Sequence, residues 1–315
     1  MEKKKMLVLG ASGLTGYKVM QLAKSRFDVQ GTYNARSTSY DLLLKLDLSK
    51  PDELNKLMHE VKPDVVVNTT ALHNVDYCES HPEEAYHINA AMVKEMAEHC
   101  DNIGARFVHI STDFVFDGRK GAPYTESDPP NPESVYAKSK LEGETFARTC
   151  QSWCVIRTSV VYGWTPLETQ GSTSSSGKPM NFALWALSKL ARAEELKIVR
   201  DQFTSPTLAD VLAAVIVKVA GTAVGKNELY HVAGTSCTSR YEFTRKLASM
   251  MGYRADAVQP VESKLFAQVA KRPALSCLDC SKVQSALGYR LLNVDESLAV
   301  MRSQIEMESP NLLGS

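Results

Sequence analysis

The chain of 315 residues has no excess of charge of either sign: 36 Lys and Arg residues balance 36 Asp and Glu residues, giving a net charge of +0 at pH 7. Without an overall basic field, charge alone does not draw a protein onto nucleic acid or an anionic membrane. Long apolar runs are also missing, since the stretch from Val211 to Ala220 falls far below the ~18 residues that span a bilayer. We therefore expect no nucleic-acid partner, no membrane segment and a cytoplasmic location.

Cysteine is sparse and scattered. The seven cysteines are odd in number and spread along the chain, which fits buried apolar residues in a reducing compartment better than a disulfide framework. Cys277 and Cys280 form a C-x-x-C, but neither a second pair nor a histidine stands nearby at metal-ligand spacing. The sequence therefore predicts no disulfide framework, no zinc or redox site and no other metal.

A glycine-rich turn is present near the start of the chain. Residues 10–16 read G-A-S-G-L-T-G between the apolar run 6–9 and a stretch of helical period. Gly10 permits a tight turn, Gly13 lets the backbone approach a phosphate, and Gly16 lets the helix pack on the sheet. This pattern favours a dinucleotide pyrophosphate site over a plain strand-to-helix turn. The residues predicted to line it are Gly10, Ser12, Gly13, Leu14, Thr15 and Gly16.

Apolar strand-like runs alternate with helical patterns through the first half of the chain. The predicted strands cover 4–9, 28–33, 42–46, 64–68, 106–110 and 153–158, and helices run to about 25, after Pro51, and over about 82–102 and 136–149. Strands this apolar belong in a parallel sheet covered by helices on both faces. The predicted fold is α/β, a Rossmann-like doubly wound parallel sheet.

A Ser-, Thr- and Gly-rich segment, 165–179, interrupts this rhythm. Beyond it the predicted elements become mixed, as expected after a loop or linker. We therefore predict a dinucleotide-binding Rossmann domain at 1–160. Residues 161–315 are expected to form mainly a smaller substrate-binding lobe, with some segments returning to the first domain. The 160–179 region is predicted to form the substrate mouth and to order when ligand binds.

A hydroxyl, a phenol and an amine form the second informative pattern. Thr112 stands in S-T-D at the end of the fifth strand, and Tyr136 and Lys140 share one face of the helix that follows. An ammonium beside a tyrosine stabilises the phenolate and lowers its pKa. With Thr112 or Ser111 hydrogen-bonded to a substrate oxygen, Tyr136 can protonate that oxygen. The alternative is a Tyr/Lys pair on a solvated helix face, which the upstream glycine turn disfavours.

These residues resemble the extended short-chain dehydrogenase/reductases, and within them the dTDP-4-dehydrorhamnose reductase-like proteins. The strings that carry the resemblance span nearly the whole chain: V-D-Y-C-E at 75–79, S-T-D-F-V-F-D-G at 111–118, Y-A-K-S-K-L-E-G-E at 136–144, R-T-S at 157–159, D-Q-F-T-S-P-T at 201–207 and R-P at 272–273. The resemblance implies an NAD(P)-dependent reductase of the 4-keto group of a nucleotide-linked 6-deoxyhexose.

The resemblance also implies roles for particular residues. Tyr136 would be the general acid, Lys140 its pKa modulator and ribose ligand, and Thr112 the hydrogen-bond donor to the carbonyl, with Asn89 as a fourth catalytic residue. The residues implied to bind substrate are Asp113, Val160, Gln202 and Arg272.

Two positions depart from related patterns. Sugar-nucleotide dehydratases place a Glu after the Thr-Asp pair, and Phe114 at that position leaves no elimination base. The reductases often carry a Trp where this chain has Val160, and Trp164 is either its substitute or an ordinary core or surface residue. Two alternatives stay open: a non-catalytic regulatory subunit resembling that of methionine adenosyltransferase, and a nucleotide-sugar epimerase. A homodimer also stays open.

The cofactor choice follows from charge near the end of the second strand. An acid about 20 residues beyond the glycine turn would accept the ribose hydroxyls of NAD. Residues 31–37 contain none, and Arg36 can instead pair with a 2′-phosphate. We therefore expect NADP, with NADPH preferred over NADH. Further predicted cofactor ligands are Asn34, Ser37, Asp47 and Leu48 toward the adenosine, and Thr70, Ala71 and Leu72 toward the nicotinamide ribose.

Overall fold

In this computed structural model the structure describes residues 2–34, 43–166 and 181–314. The first half of the chain alternates strands and helices, in the order β1 (Lys5–Leu9), α1 (Leu14–Ala23), β2 (Asp28–Tyr33), β3 (Leu43–Lys45), α2 (Pro51–Val61), β4 (Val65–Asn68), α3 (Val75–Ser80), α4 (Pro82–Tyr86), a π-helical turn (His87–Ala91), α5 (Met92–Ile103), β5 (Arg106–Thr112), α6 (Val135–Ala147) and β6 (Trp153–Thr158).

The second half is built from shorter elements. Its described helices and strands are β7 (Val161–Tyr162), α7 (Phe182–Leu190), β8 (Leu196–Val199), β9 (Phe203–Thr204), β10 (Thr207–Leu208), α8 (Ala209–Gly221), β11 (Glu228–His231), β12 (Thr238–Ser239), α9 (Arg240–Met250), β13 (Val258–Val261), α10 (Ser281–Leu287) and α11 (Val294–Glu308). Among the described helices, none has both the length and the apolar character needed to cross a bilayer.

Seven parallel strands form the central sheet, in the order β3-β2-β1-β4-β5-β6-β11. The order reverses between β1 and β4, and an open α/β sheet binds its ligands at the carboxyl ends of the strands beside such a reversal. The predicted doubly wound parallel sheet is confirmed. The glycine turn after β1 and the S-T-D segment after β5 lie at this edge.

Alternation along β1 shows that both faces of the sheet are covered. Met6 and Val8 belong to one buried cluster, which includes side chains of α1 and α8, while Leu7 and Leu9 belong to the other, with side chains of α2 and α5. Successive strand residues point to opposite faces, so both faces must be apolar. This explains why the predicted strands read as continuous apolar runs.

Two segments of the second half pack with the Rossmann sheet. Strand β11 pairs with β6, and α8 packs on α1, where Lys18 forms an ion pair of 2.8 Å with Asp210. Other short strands lie outside the main sheet, including β13 paired with β8. The boundary at residue 160 stays a prediction, as does the ordering of the 160–179 region, because 167–180 lie outside the described residues.

The predicted single helix over 82–102 is wrong in detail. The chain there forms α4, the π-helical turn and α5, and the additional helix α3 precedes them. A Cβ at Gly143 would stand only 2.2 Å from the main-chain oxygen of Asn89, so this position of α6 requires glycine. Close approach of α6 to an irregular turn is a tertiary contact, and π-helical turns of this kind often mark functional sites.

The prediction of buried free cysteines in place of a disulfide framework is correct for five of the seven and wrong for two. Cys237 and Cys277 are joined in a disulfide, and the other five cysteines are buried free thiols. The two bonded residues are 40 positions apart, so their spacing gave no signal. The fold brings them together because the segment before α9 packs beside the segment that leads to α10.

Candidate active site

A cleft of about 1050 Å³ opens along the carboxyl edge of the sheet. Most residues predicted as site residues line it, on both sides of the point where the strand order reverses. They are Gly10, Ser12, Gly13, Leu14, Thr15, Asn34, Leu48, Thr70, Ala71, Leu72, Thr112, Asp113, Tyr136, Lys140, Val160, Gln202 and Arg272. Gly16, Asp47 and Asn89 are not among the lining residues, and Arg36 and Ser37 lie outside the described residues.

The glycine turn is open toward the cleft and closed toward the sheet. Gly10 has a φ of +83°, a conformation that side chains rarely adopt, and a Cβ at Gly16 would stand 2.4 Å from the Gly10 oxygen. A Cβ at Gly13 would meet nothing nearer than 3.4 Å. Gly13 is also the N-cap of α1 and supplies no side-chain cap, so the first N–H groups of the helix face the cleft, as in anion sites.

The wall of the cleft that follows β3 is apolar. Leu46 and Leu48 line it, whereas the Asp47 carboxylate is turned away and accepts hydrogen bonds from the Ser49 N–H and hydroxyl at 3.0 and 2.8 Å. These bonds lower the pKa of Asp47. An adenine contact through Leu48 fits this geometry better than one through the Asp47 carboxylate.

Tyr136 stands in the first turn of α6, where the cap fixes it. The Ser134 hydroxyl accepts a hydrogen bond of 3.2 Å from the Ala137 N–H and so starts the helix one residue before Tyr136. The expected lowering of the Tyr136 pKa is wrong for this chain: burial of the hydroxyl raises the pKa, and hydrogen bonding to Thr112 offsets only part of the rise. Tyr136 is therefore held as a phenol that can give a proton.

Lys140 lies one turn further along α6 and is 2% exposed. Its Nζ donates to the Ile110 carbonyl oxygen at 2.7 Å and lies 3.4 Å from His109 Nε2. Burial lowers the pKa of Lys140 to about 8, and Glu144 acts in the opposite direction. An amine that titrates this close to neutrality can both hold a charge and exchange a proton.

A buried ion pair that the sequence interpretation missed supports this helix. Arg157 Nε and Nη2 donate to Glu144 Oε1 and Oε2 at 2.8 and 2.7 Å, and the Ser111 hydroxyl donates to Oε1 at 2.7 Å. The pair ties α6 to β5 and β6 behind the Tyr136 and Lys140 face. Both residues lie inside the recognised strings at 136–144 and 157–159, but nothing in their spacing indicated that they pair.

Asn89 lies behind the cleft. Its Oδ1 accepts from the Leu72 N–H at 2.9 Å, and its Nδ2 donates to the Leu72 oxygen at 3.0 Å and to Ser139 Oγ at 3.1 Å. It joins the loop after β4 to α6. In this geometry Asn89 positions the wall of the cleft, and its predicted catalytic role stays a prediction.

Asp113 is buried beneath the cleft floor. Its carboxylate accepts hydrogen bonds from Ser276 at 2.6 Å, Ser159 at 2.7 Å and Thr112 at 3.1 Å. Burial raises the pKa of Asp113 despite these three donors. The carboxylate fixes the Thr112 hydroxyl beside Tyr136 and joins the Rossmann sheet to the segment that carries Ser276.

The end of the cleft away from the glycine turn is aromatic and cationic. Trp185, Lys197, Arg240 and Phe266 line it, and the Arg240 guanidinium lies 5.1 Å from the centre of the Phe182 ring. Sequence reasoning missed all of them, because none belongs to a motif that indicates ligand binding. Arg240 offered one signal in the sequence. Ser239 and Glu242 have the spacing of a capping box, which predicts that a helix begins at Arg240.

Trp164 is not the substitute for a sugar-contacting tryptophan. It is 3% exposed and belongs to the main core cluster, whereas Trp185 faces the cleft. Val160 does line the cleft and has a φ of +40°. A β-branched residue in that region is strained, and strain of this kind concentrates at functional sites.

Gln202 and Arg272 both line the cleft, and each is hydrogen-bonded to a neighbouring side chain. Gln202 Nε2 donates to Gln268 Oε1 at 3.1 Å. Arg272 makes a bidentate pair with Asp76, at 2.6 and 3.1 Å. The pair connects α3 to the segment before α10, so Arg272 helps to shape this side of the cleft.

Comparison with known proteins agrees with this architecture. The family model described as RmlD substrate binding domain matches residues 4–307. A probable low-salt glycan biosynthesis reductase, Agl14 of Haloferax volcanii, is 31% identical over 94% of this chain and 96% of its own. A dTDP-4-dehydrorhamnose reductase of Aggregatibacter actinomycetemcomitans is 31% identical over 96% of this chain and 99% of its own.

A solved structure has the same fold. The dTDP-4-dehydrorhamnose reductase of Bacillus anthracis, in complex with NADP, superposes with a TM-score of 0.83 at 26% identity, over 96% of this chain and 99% of that one. The fold and the Thr, Tyr and Lys arrangement are those of an NAD(P)-dependent oxidoreductase of the extended short-chain dehydrogenase/reductase type. Within that class, the chain belongs to the family of the RmlD substrate binding domain.

Proposed function

We propose that the protein is an NADPH-dependent reductase that transfers hydride to the 4-keto group of a nucleotide-linked 6-deoxyhexose. One observation carries the proposal. The glycine turn, Thr112, Tyr136 and Lys140 line a single cleft, with the aromatic and cationic end of that cleft directly beyond the phenol. This arrangement provides one binding site for a dinucleotide and a separate one for a second ligand that is anionic and contains a ring.

The residues at the glycine turn fit a dinucleotide. Gly13 leaves room for a pyrophosphate that a Cβ would fill, the N-terminus of α1 faces that room, and Leu46 and Leu48 offer an apolar wall to adenine. Thr70, Ala71 and Leu72 lead from there toward Tyr136. When bound, NADPH supplies the hydride. Arg36 is proposed as the ligand of its 2′-phosphate, since residues 31–34 bring no acid to that wall.

The chain's own residues then handle the proton. Thr112 turns its hydroxyl hydrogen from Asp113 to the carbonyl oxygen of the substrate and so orients that oxygen. The Tyr136 phenol gives its proton to the same oxygen as the alkoxide forms. Lys140 restores the proton to Tyr136. Phe114 occupies the position where an elimination base would stand, and its ring faces Tyr136 edge-on. Reduction is therefore favoured over dehydration.

The aromatic and cationic end of the cleft suits a nucleoside diphosphate. Arg240 lines this end of the cleft, with Lys197 also on the wall, and the charge of Asp113 acts on its guanidinium. We propose that this guanidinium binds a phosphate. Trp185 and Phe266 provide faces for a base or a sugar ring. The expected cytoplasmic location and a homodimer remain proposals beside this function.

The test is a panel of nucleotide-linked 4-keto-6-deoxyhexoses incubated with the protein and either NADPH or NADH, followed by absorbance at the reduced nicotinamide band. The proposal expects stoichiometric oxidation of NADPH with at least one member of the panel, and slower oxidation of NADH. A nucleotide-sugar epimerase would change the sugar without net consumption. A regulatory subunit would bind the dinucleotide and leave every sugar unchanged.

A further inference from the structure

Two buried side chains behind Lys140 form a hydrogen-bonded chain that ends at its amine. Asn68, at the end of β4, and His109, on β5, are both 0% exposed. Asn68 Nδ2 lies 3.2 Å from His109 Nδ1, and His109 Nε2 lies 3.4 Å from Lys140 Nζ. Neither residue lines the cleft, and His109 is the one of the two that contacts Lys140.

The orientation of the Asn68 amide is set by its neighbour Thr70. The Thr70 N–H donates to Asn68 Oδ1 at 2.9 Å, and the Thr70 hydroxyl donates to the same oxygen at 2.6 Å. A backbone N–H can only donate, so the amide oxygen must face Thr70. The amide nitrogen therefore faces His109, and it too can only donate.

This orientation fixes the tautomer of His109. Because Nδ1 must accept from Asn68, the ring hydrogen of the neutral imidazole is on Nε2, and that N–H points at Lys140 Nζ. A lysine amine has a lone pair that accepts this hydrogen bond and can still donate to the Ile110 oxygen at 2.7 Å. An ammonium has no lone pair, so it would leave two donors facing each other in a buried site.

We propose that Asn68 and His109 are positioning residues that favour the neutral amine of Lys140 over its ammonium form, so that the ammonium readily gives a proton to the Tyr136 phenolate after each reduction and becomes that amine. The proposal rests on the proposed function for the identity of the proton acceptor. The proton leaves Nζ, re-forms the O–H bond of Tyr136, and is later replaced from solvent. The His109 Nε2–H then hydrogen-bonds to the lone pair that is left.

The surroundings of Lys140 agree with this assignment. Tyr136 and Glu144 flank it on α6, His109 faces it from β5, and Asp113 lies beyond the end of that strand. Glu144 is already paired with Arg157 on β6, and with Arg148 on its own helix. Burial lowers the pKa of Lys140, and burial together with Lys140 lowers that of His109, which keeps the imidazole neutral.

The direct test reads the tautomer of His109 by long-range ¹H–¹⁵N NMR of the histidine-labelled protein, with the signal assigned through His109→Gln. The proposal expects hydrogen on Nε2. Hydrogen on Nδ1, or a doubly protonated ring at neutral pH, would overturn it. His231 is an internal control of opposite sense, because its Nδ1 faces the Tyr124 carbonyl oxygen at 3.0 Å and must donate. This measurement needs no substrate, so it is independent of the proposed function.

A second measurement follows Lys140 itself. The ¹³Cε signal of Lys140, assigned through Lys140→Met, should titrate below the ordinary lysine value of 10.5, near 8. In Asn68→Asp the carboxylate accepts from His109 Nδ1, which turns the Nε2 lone pair toward Lys140 and favours the ammonium. The midpoint should then rise by about one pH unit or more. An unchanged midpoint in a folded Asn68→Asp variant contradicts the proposal.

The functional consequence is visible in the pH profile of kcat. For Asn68→Asp the alkaline limb should move to higher pH by a similar amount, because Lys140 keeps its proton longer. A merely structural role would lower kcat or stability at every pH and leave the limb in place, and that result would overturn the functional part. If no sugar of the panel is reduced, the proposed function fails, while the two NMR measurements still decide the state of His109 and Lys140.

Discussion

The ring of Phe114 lies edge-on to the ring of Tyr136, with centroids 6.2 Å apart and planes at 80°. An apolar ring beside the phenol removes water from one side of it, and this desolvation disfavours the charged phenolate. The family resemblance implies that a dehydratase would carry a carboxylate at this position. We therefore expect Phe114 to keep Tyr136 protonated and to disfavour dehydration.

Replacing Tyr136 by Phe should abolish turnover while leaving the fold and dinucleotide binding intact. The change removes only the hydroxyl that donates the proton, and loss of a general acid costs on the order of 10²–10⁴-fold in kcat. Steady-state kinetics and fluorescence titration of NADPH measure the two properties. Tyr253→Phe is the matched control, because that hydroxyl bonds the Leu312 oxygen away from the cleft. Near wild-type kcat in Tyr136→Phe would rule out the assigned role.

Gly13→Ala should impair NADPH binding, whereas Gly16→Ala should impair stability. A Cβ at Gly16 would stand 2.4 Å from the Gly10 oxygen, so Gly16→Ala should lower the free energy of unfolding by about 1–3 kcal/mol. A Cβ at Gly13 meets nothing closer than 3.4 Å, so Gly13→Ala should keep its stability and lose NADPH affinity. Urea unfolding and NADPH titration separate the two. Unchanged affinity in Gly13→Ala would place the pyrophosphate elsewhere.

Reduction of the Cys237–Cys277 bond should destabilise the protein. Cross-linking residues 40 positions apart restricts the unfolded chain, and bonds of this kind contribute roughly 2–4 kcal/mol. Unfolding of the protein with and without dithiothreitol measures the contribution. Cys237→Ser should resemble the reduced protein and no longer respond to the reductant. Equal stability with and without reductant in the wild-type chain would show that the bond contributes nothing.

Acid should weaken the fold through His231. Burial, together with the nearby Arg157, lowers the pKa of this imidazole to about 3 from 6.5. The unfolded chain therefore binds a proton below pH 6.5 that the folded chain does not accept until about pH 3, so stability falls as the pH falls through this window. Between pH 7 and pH 5, urea unfolding should show His231→Gln losing about 2 kcal/mol less than the wild-type chain. Parallel losses would contradict the buried neutral state.

The sequence predicted the sheet well because its signals are local. The apolar runs of β1 and β2 are bounded by glycine or polar residues, and parallel strands are apolar on both faces, so their limits were placed within a residue or two. The glycine turn, Thr112, Tyr136 and Lys140 were predicted from short-range spacing and from the family resemblance. Gly10, Gly13, Thr112, Tyr136 and Lys140 all line the cleft.

What the sequence did not reveal depends on contacts between distant segments. The π-helical turn at Asn89 requires the close approach of Gly143, and the Cys237–Cys277 bond requires two loops to meet. The burial that raises the pKa of Tyr136 is a property of the assembled cleft, and spacing along α6 could not show it. Trp185 and Arg240 lie on helices whose place beside the cleft follows from tertiary packing. The sequence therefore led to Trp164 as the candidate and not to Trp185.

The most direct test of the proposed reduction follows the hydride itself. The protein is incubated with NADPH deuterated at the transferable position and with the 4-keto sugar that the panel identifies, and the product is examined by NMR and mass spectrometry. The proposal predicts one deuterium at C4 of the sugar for each NADPH consumed, and none with Tyr136→Phe over the same time. Absence of deuterium from C4, or a changed sugar without consumption of NADPH, would contradict it.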